Sequence, residues 1–193
     1  MKRQEQKRQT HQKIRETAKA LFSSQGFEAT TSRQIAKEAG VATGTLFVHF
    51  ESKNAILADI LFEDIEATVQ QAFLDLPAER STADKLIHLA NRLYAYYIKQ
   101  RGLSRTLLQY SVFEQNSQGD FSNQIQAFIE AITGLIEQGQ ANGDVVTGKE
   151  AESMATAFMA AYFFVLMNLL RDENFTLESA IGQLEKLAQT ILK

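Results

Sequence analysis

The stretch from Thr31 to Phe50, TSRQIAKEAGVATGTLFVHF, constrains the fold more than any other part of the chain. It reads as a helix, a tight turn and a second short helix. Thr31 or Ser32 offers a side-chain oxygen to cap the free N–H groups at the start. Ile35, Ala36 and Ala39 then share one face at helical spacing. Gly40 follows, where a helix end needs a residue that tolerates positive φ. Thr43 is placed to cap the next helix, and Leu46, Phe47 and Phe50 form its apolar side. The small Ala36 suits two helices that cross closely at a steep angle, the helix-turn-helix arrangement. The outward face holds Thr43, Gly44 and Thr45, with Val48 beside them. Those residues are small enough to approach base edges in a DNA major groove.

Around this stretch the matches accumulate in one register. They include Ala18 to Phe22, Gly26-Phe27-Glu28-Ala29-Thr30-Thr31, Ile35 to Val41, Gly44 to Phe47, His49-Phe50 and Ser52-Lys53. In these residues the chain resembles the TetR family of one-component transcriptional regulators, over about Arg15 to Leu57. The resemblance implies an all-α protein: a three-helix helix-turn-helix head at residues 1–50, then a helical ligand-binding and dimerisation domain at 51–193. It implies about nine helices in all. It also implies a double-stranded DNA operator as partner, contacted through Thr31, Arg33, Lys37, Thr43, Gly44, Thr45, Phe47, His49 and Lys53. Arg33 and Lys37 either hold phosphates or stay solvated; Arg33 also has the planar fork to reach a base. His49 either donates to a phosphate or wedges its ring against the head. Lys53 opposes the dipole at the start of a helix, a placement that a phosphate would explain. The family most often has Tyr where this chain has Phe47, and that hydroxyl touches a phosphate. Phe47 keeps the ring and cannot make that bond.

Net charge agrees once it is divided. Residues 1–60 hold 10 Lys and Arg against 6 Asp and Glu, a net +4; residues 61–193 hold 10 against 17, a net −7. Only the front of the chain is built to meet a polyanion. Residues 1–9, rich in Lys, Arg and Gln, read as a frayed basic arm, with a first helix from Thr10 to Gln25 ended by Gly26. A fourth helix starts at Ser52 and stops before Pro77. A fifth runs from Ser81 to Gly102, a short sixth from Ser104 to Phe113, and Glu114 to Asp120 is the clearest loop. A seventh helix covers Phe121 to Gln140, an eighth Thr147 to Arg171, and a ninth starts at Thr176. The longest apolar run, Ala157 to Met167, is 11 residues. A membrane span needs about 20, so this run is expected inside the protein, with no membrane partner. The amino terminus lacks a secretory pattern, and a cytoplasmic setting is expected.

The chain has no Cys, and His11 and His88 lack partners at metal spacing. Neither a metal nor a cofactor is expected. No nucleophile sits beside a base and no phosphate loop appears, so an enzyme is not expected. Adjacent acids such as Glu63 and Asp64 read as solvated.

The second domain is rich in rings. The resemblance implies an inducer pocket among helices five to eight, for which Arg92, Tyr96, Tyr110, Phe113, Gln124, Phe128, Phe158 and Tyr162 are candidates, with Gln109 and Asn168 as further polar groups. So few cations there predict a largely apolar small molecule, neutral or weakly charged. The eighth helix is apolar nearly all round, which calls for a partner chain to cover one face. The resemblance implies a homodimer through helices eight and nine, with Val165, Leu169, Leu177, Ile181, Leu184 and Ala188 at the seam. The expected function is therefore a ligand-responsive repressor that binds a palindromic operator as a dimer and is released by an inducer. Two alternatives stand beside it: a ligand-independent activator or architectural DNA binder, and a helical carrier or enzyme with a vestigial head.

Overall fold

The structure, a computed structural model, describes residues 2–113 and 118–193, without the side chains of Lys2, Val112, Phe113 and residues 118–121. The described residues form nine α-helices and no strand. They are α1 (Lys2–Gln25), α2 (Ser32–Glu38), α3 (Thr43–His49), α4 (Lys53–Leu74), α5 (Thr82–Lys99), α6 (Arg101–Phe113), α7 (Gln118–Ala141), α8 (Ala151–Arg171) and α9 (Leu177–Leu192). They divide into two compact units, Met1–Asp64 with Thr106–Ser117 and Ile65–Arg105 with Gln118–Lys193. Helices α4 and α6 contribute residues to both.

The first unit closes around Ile14, Ala18 and Phe22 of α1, Ile35, Ala36 and Ala39 of the α2 segment, Leu46 of α3, and Phe50. Gly26 ends α1 at φ 85°, and its N–H reaches Phe22 O at 3.1 Å. Thr31, rather than Ser32, caps α2: its hydroxyl accepts from Gln34 N at 3.1 Å. The far end of α2 is a Schellman closure. Gly40 lies at φ 62°, its N–H bonds Lys37 O, and the Val41 N–H bonds Ala36 O. That closure sets the turn that delivers α3.

Two local expectations are corrected in this unit, and a third is extended. Thr43 does not cap α3; Ala42 occupies the cap position without a side-chain bond, and Thr43 is the first helical residue. Residues 2–9 are helical, not a frayed arm. Glu5 bonds Arg8 and Gln9 along the helix surface, and no Gly or Pro interrupts the run. Glu63 is solvated, as expected, with its side chain 65% exposed, yet both it and Asp64 carry an ion pair. Glu63 pairs with Arg15, which also holds Asp59 at 2.7 Å, and Asp64 pairs with Lys19 at 2.9 Å. These bridges fasten α1 to the first half of α4.

In the second unit α8 packs against α5, α7 and α9. Met154, Ala155, Phe158, Met159, Tyr162, Val165, Leu166, Leu169 and Leu170 form its buried side. By length and composition alone α8 is apolar enough to cross a membrane, with half of its most apolar window buried in the chain. Its C-terminal carbonyls are held by two guanidiniums. Arg101 donates to Leu169 O at 2.6 Å and Asp172 O at 3.0 Å, and Arg105 donates to Leu170 O at 2.6 Å. Cations are favoured at that end of a helix.

Helix ends also shift from expectation. α5 stops at Gln100, and Gly102 falls inside the first turn of α6. α7 begins at Gln118, so part of the expected loop is helical; residues 114–117 lie outside the described residues. α8 starts at Ala151, later than Thr147, because the preceding backbone is engaged elsewhere. Val146 N bonds Leu192 O, and the Gln140 amide donates to Val146 O and Lys149 O. The turn at Asn142-Gly143-Asp144 forms as expected, with Gly143 at φ 76°.

Candidate functional site

Within the first unit, α3 presents Gly44, Phe47 and Val48 to solvent at i, i+3 and i+4 spacing. Phe47 is 50% exposed and Val48 74%, although both are large apolar groups. Thr43 and Thr45 are half-buried beside them. On α2, Arg33 and Lys37 are exposed and four residues apart, so they share one side of the helix. Thr31 is exposed at the cap of the same helix. A short apolar ledge therefore stands next to two solvated cations, and the opposite faces of both helices are closed by Ile35, Ala36 and Leu46.

His49 and Lys53 are more deeply tied into the unit than their sequence context suggested. The His49 ring is half-buried, and its Nδ1 is enclosed without a hydrogen-bond partner. Its ring lies 6.0 Å from that of His11, which in turn packs on Phe50 at 4.4 Å. Burial lowers the basicity of His49, and the nearby His11 and Lys7 lower it further. The neutral ring is therefore favoured near pH 7 until an anion approaches.

Lys53 donates to Phe27 O at 2.7 Å and to Thr30 O at 2.9 Å, with its ammonium 4.0 Å from the Phe27 ring centre. These bonds close the turn between α1 and α2, an internal role that the sequence reading missed. An ammonium has three N–H groups, so one remains for a phosphate. Lys53→Ala removes two charge-assisted hydrogen bonds and a cation–π contact. It is expected to destabilise the chain by about 2 kcal/mol, visible as a lower melting temperature in calorimetry without DNA. An unchanged melting temperature would restrict Lys53 to the DNA surface.

In the second unit the ring candidates separate. Phe158 and Tyr162 of α8 are buried, while Phe128 of α7 and Tyr96 of α5 are half-buried. The Tyr162 ring stacks on Tyr94 at 4.9 Å and meets Phe128 edge-on at 6.5 Å. Tyr94 donates its hydroxyl to the backbone oxygen of Tyr162 at 2.8 Å. Burial pushes the Tyr97 hydroxyl up to about 12 and raises Tyr94 and Tyr162 as well, so all three stay protonated at any ordinary pH. Tyr94 and Tyr97 were not among the sequence candidates, although their i, i+3 spacing puts both on the buried side of α5.

The remaining candidates do not join this cluster. Arg92 pairs with Asp75, whose other carboxylate oxygen accepts from His88 Nε2 at 2.8 Å, and the Arg92 side chain is about half exposed. The charge partner is an acid thirteen residues before His88, and no local spacing announces it. Gln109 is exposed on α6. Tyr110 belongs to the first unit, where its hydroxyl donates to Glu51 at 2.9 Å. Gln124 is half-buried, Asn168 accepts from Arg171 at 3.3 Å, and the Phe113 side chain lies outside the described residues.

The residues of the expected dimer seam divide by burial. Val165, Leu169, Leu184 and Ala188 have no exposed surface in a single chain and belong to its core. The residues fall on the side of α8 and α9 that faces their own unit, because an all-round apolar helix does not reveal which stripe is inside. Leu177 and Ile181 are half-buried and line an open groove of about 870 Å³ with Ile87 and His88. The exposed apolar stripe is Ala157, Ala160, Phe164 and Met167 on α8, at spacings of three, four and three. Phe164 is 50% exposed and Met167 56%.

Comparison with known proteins agrees with this geometry. Residues 14–60, which contain α2 and α3, match the model of the bacterial regulatory proteins of the tetR family. The chain is 21% identical over 144 residues to the fatty acid metabolism regulator protein of Bacillus subtilis, a match covering 74% of each chain. It is 27% identical over 137 residues to the transcriptional regulator QacR of Staphylococcus aureus, covering 68% of this chain and 71% of that one. Among solved structures it is similar to Thermus thermophilus FadR, a TetR family transcriptional repressor in complex with lauroyl-CoA. That likeness has a TM-score of 0.73 at 22% identity and covers 94% of this chain and 93% of the other.

Proposed function

We propose that the chain is a dimeric repressor of the TetR family, whose model matches residues 14–60, released from a palindromic operator by a fatty-acyl effector. The observation that carries the DNA-binding part is the outward face of α3. Gly44, Phe47 and Val48 stand in solvent beside Arg33 and Lys37, on a unit with a net basic sequence. In this reading Arg33, Lys37 and His49 hold phosphates and set the register. Thr43, Thr45 and Val48 lie near base edges, where a β-branched side chain contacts a thymine methyl. Phe47 packs its ring on the sugar-phosphate backbone. The acidic rear of the chain keeps the second unit away from the duplex.

Assembly is proposed through the exposed stripe of α8. Ala157 and Ala160 allow close approach, and Phe164 and Met167 supply apolar area. The self-complementary pairing of such a stripe gives the two-fold axis that paired half-sites require. The protein would act in the cytoplasm, where its operator lies.

The effector class is supported by two of the similar proteins, one described as a regulator of fatty acid metabolism and the other bound to lauroyl-CoA. It is also supported by an aromatic interior in the second unit, with Arg92 held by Asp75. Release requires the effector to favour a conformation with low operator affinity. The test uses a duplex selected in vitro against the full chain. Fluorescence anisotropy is expected to show tight binding, and lauroyl-CoA at micromolar concentration is expected to weaken it by roughly tenfold or more. Binding that is indifferent to acyl-CoA of every chain length would remove the effector class and leave the ligand-independent binder.

A further inference from the structure

Helix α1 runs well past the unit it helps to build. Its core face is Ile14, Ala18 and Phe22, at intervals of four. Toward the amino terminus the same stripe continues through His11, Lys7 and Arg3, by steps of three, four and four. Arg3 to Gln9 are all exposed, about 10 Å of helix standing in solvent. His11 marks where this overhang meets the head: its ring packs on Phe50 at 4.4 Å and lies 6.0 Å from that of His49. The face that is apolar inside the head is therefore cationic outside it.

The charges of the overhang are not equivalent. Arg8 pairs with Glu5 at 3.0 Å, and Glu5 also accepts from Gln9. Glu5 stands two residues from both Arg3 and Lys7, which puts it on the opposite side of the helix. Arg3 and Lys7 have no ion pair among the described residues. Burial, then His11, then Lys7 lower the basicity of His49, so the Lys7 ammonium is within electrostatic reach of that ring. His49 is the last residue of α3, the helix that presents Gly44, Phe47 and Val48 to solvent. Three groups that carry or accept positive charge thus converge at the carboxyl end of α3. Like charges repel there until an anion comes between them.

We propose that Arg3 and Lys7 form a second row of duplex-phosphate contacts, carried on the α1 overhang and continuous with His49. This rests on the DNA-binding reading above and extends it beyond the α2–α3 face. Because the overhang is helical, its cations keep a fixed side, and seating them on a duplex costs less entropy than ordering a free arm. Phosphate contacts fix register and carry no sequence information. Arg3 and Lys7 therefore strengthen binding to any duplex, while selectivity stays with α3. Arg8, on another face and held by Glu5, takes no part.

The experiment is fluorescence anisotropy of the full chain over a salt series, on the selected duplex and on a random duplex of equal length. Lys7→Gln sits at an exposed position and keeps a good helix former, so the fold is retained. In a dimer each substitution removes one contact from each head. The slope of log affinity against log salt is expected to flatten by about two for Lys7→Gln and by about four for the double variant Arg3→Gln, Lys7→Gln. With Lys7→Gln both duplexes are expected to lose affinity by the same factor, roughly tenfold at about 0.15 M salt. Arg8→Gln removes the same charge from another face and is expected to leave the slope near its wild-type value. A wild-type slope in the double variant overturns the row and leaves the α2–α3 reading standing. An equal loss in Arg8→Gln also overturns it, since net charge rather than the stripe is then at work. A loss confined to the selected duplex overturns the phosphate role and assigns the stripe to base contact. If the wild-type chain binds neither duplex at low salt, the DNA-binding reading falls together with the row.

Discussion

Val48→Glu abolishes operator recognition in a chain that remains folded: affinity for the selected duplex is expected to fall roughly 100-fold or more, because a carboxylate is placed against a polyanion. The position is suited to the test. Val48 is 74% exposed, and Glu has the higher helix propensity, so nothing in the head is lost. Thr45 is a less decisive site, since it is half-buried and a charge there also perturbs packing. Circular dichroism at matched concentration should be unchanged, while anisotropy loses the binding transition. A folded variant with wild-type affinity would take α3 out of the interface.

Phe164→Glu is expected to separate the dimer. The wild-type ring loses half its surface to its own chain and, in this account, the rest to the partner copy. Replacing it forfeits about 2 kcal/mol of apolar burial per copy and forces two like charges together across the axis. Because both copies carry the change, the dimer dissociation constant should rise by at least roughly a thousandfold. Light scattering after size exclusion then gives the mass of one chain. Operator binding should weaken with it, since a single head holds only a half-site. A stable dimer from Phe164→Glu would move the interface off this stripe, with the groove beside Leu177 and Ile181 as the next surface to vary.

The head was legible because its signals are local. Gly26 and Gly40 mark the only places near α2 where φ turns positive, and Ile35, Ala36 and Leu46 repeat at helical spacing. Each of these rests on residues within a few positions of one another. The internal bonds of Lys53 were not legible, because its partners, Phe27 O and Thr30 O, lie more than twenty residues away and are backbone atoms, which leave no mark in a sequence. The ion pair of Arg92 was hidden for a similar reason: Asp75 is brought beside it by the turn between α4 and α5. In α8 the difficulty was of another kind. An apolar helix has no polar side to name its outward face, so Val165 and Leu169 could not be told from Phe164 and Met167 by residue type. Only the packing of α8 against its neighbours divides them. The same holds for the tyrosines, whose spacing was visible but whose hydroxyl partners were not.

If two copies of this head read one duplex in two-fold register, hydroxyl-radical footprinting of the full chain on its selected duplex will reveal it. Two protected patches are expected, related by two-fold symmetry and centred about one helical turn, or a multiple of it, apart, with both patches lost together in Val48→Glu. A single protected patch, or protection unchanged in that variant, would contradict it.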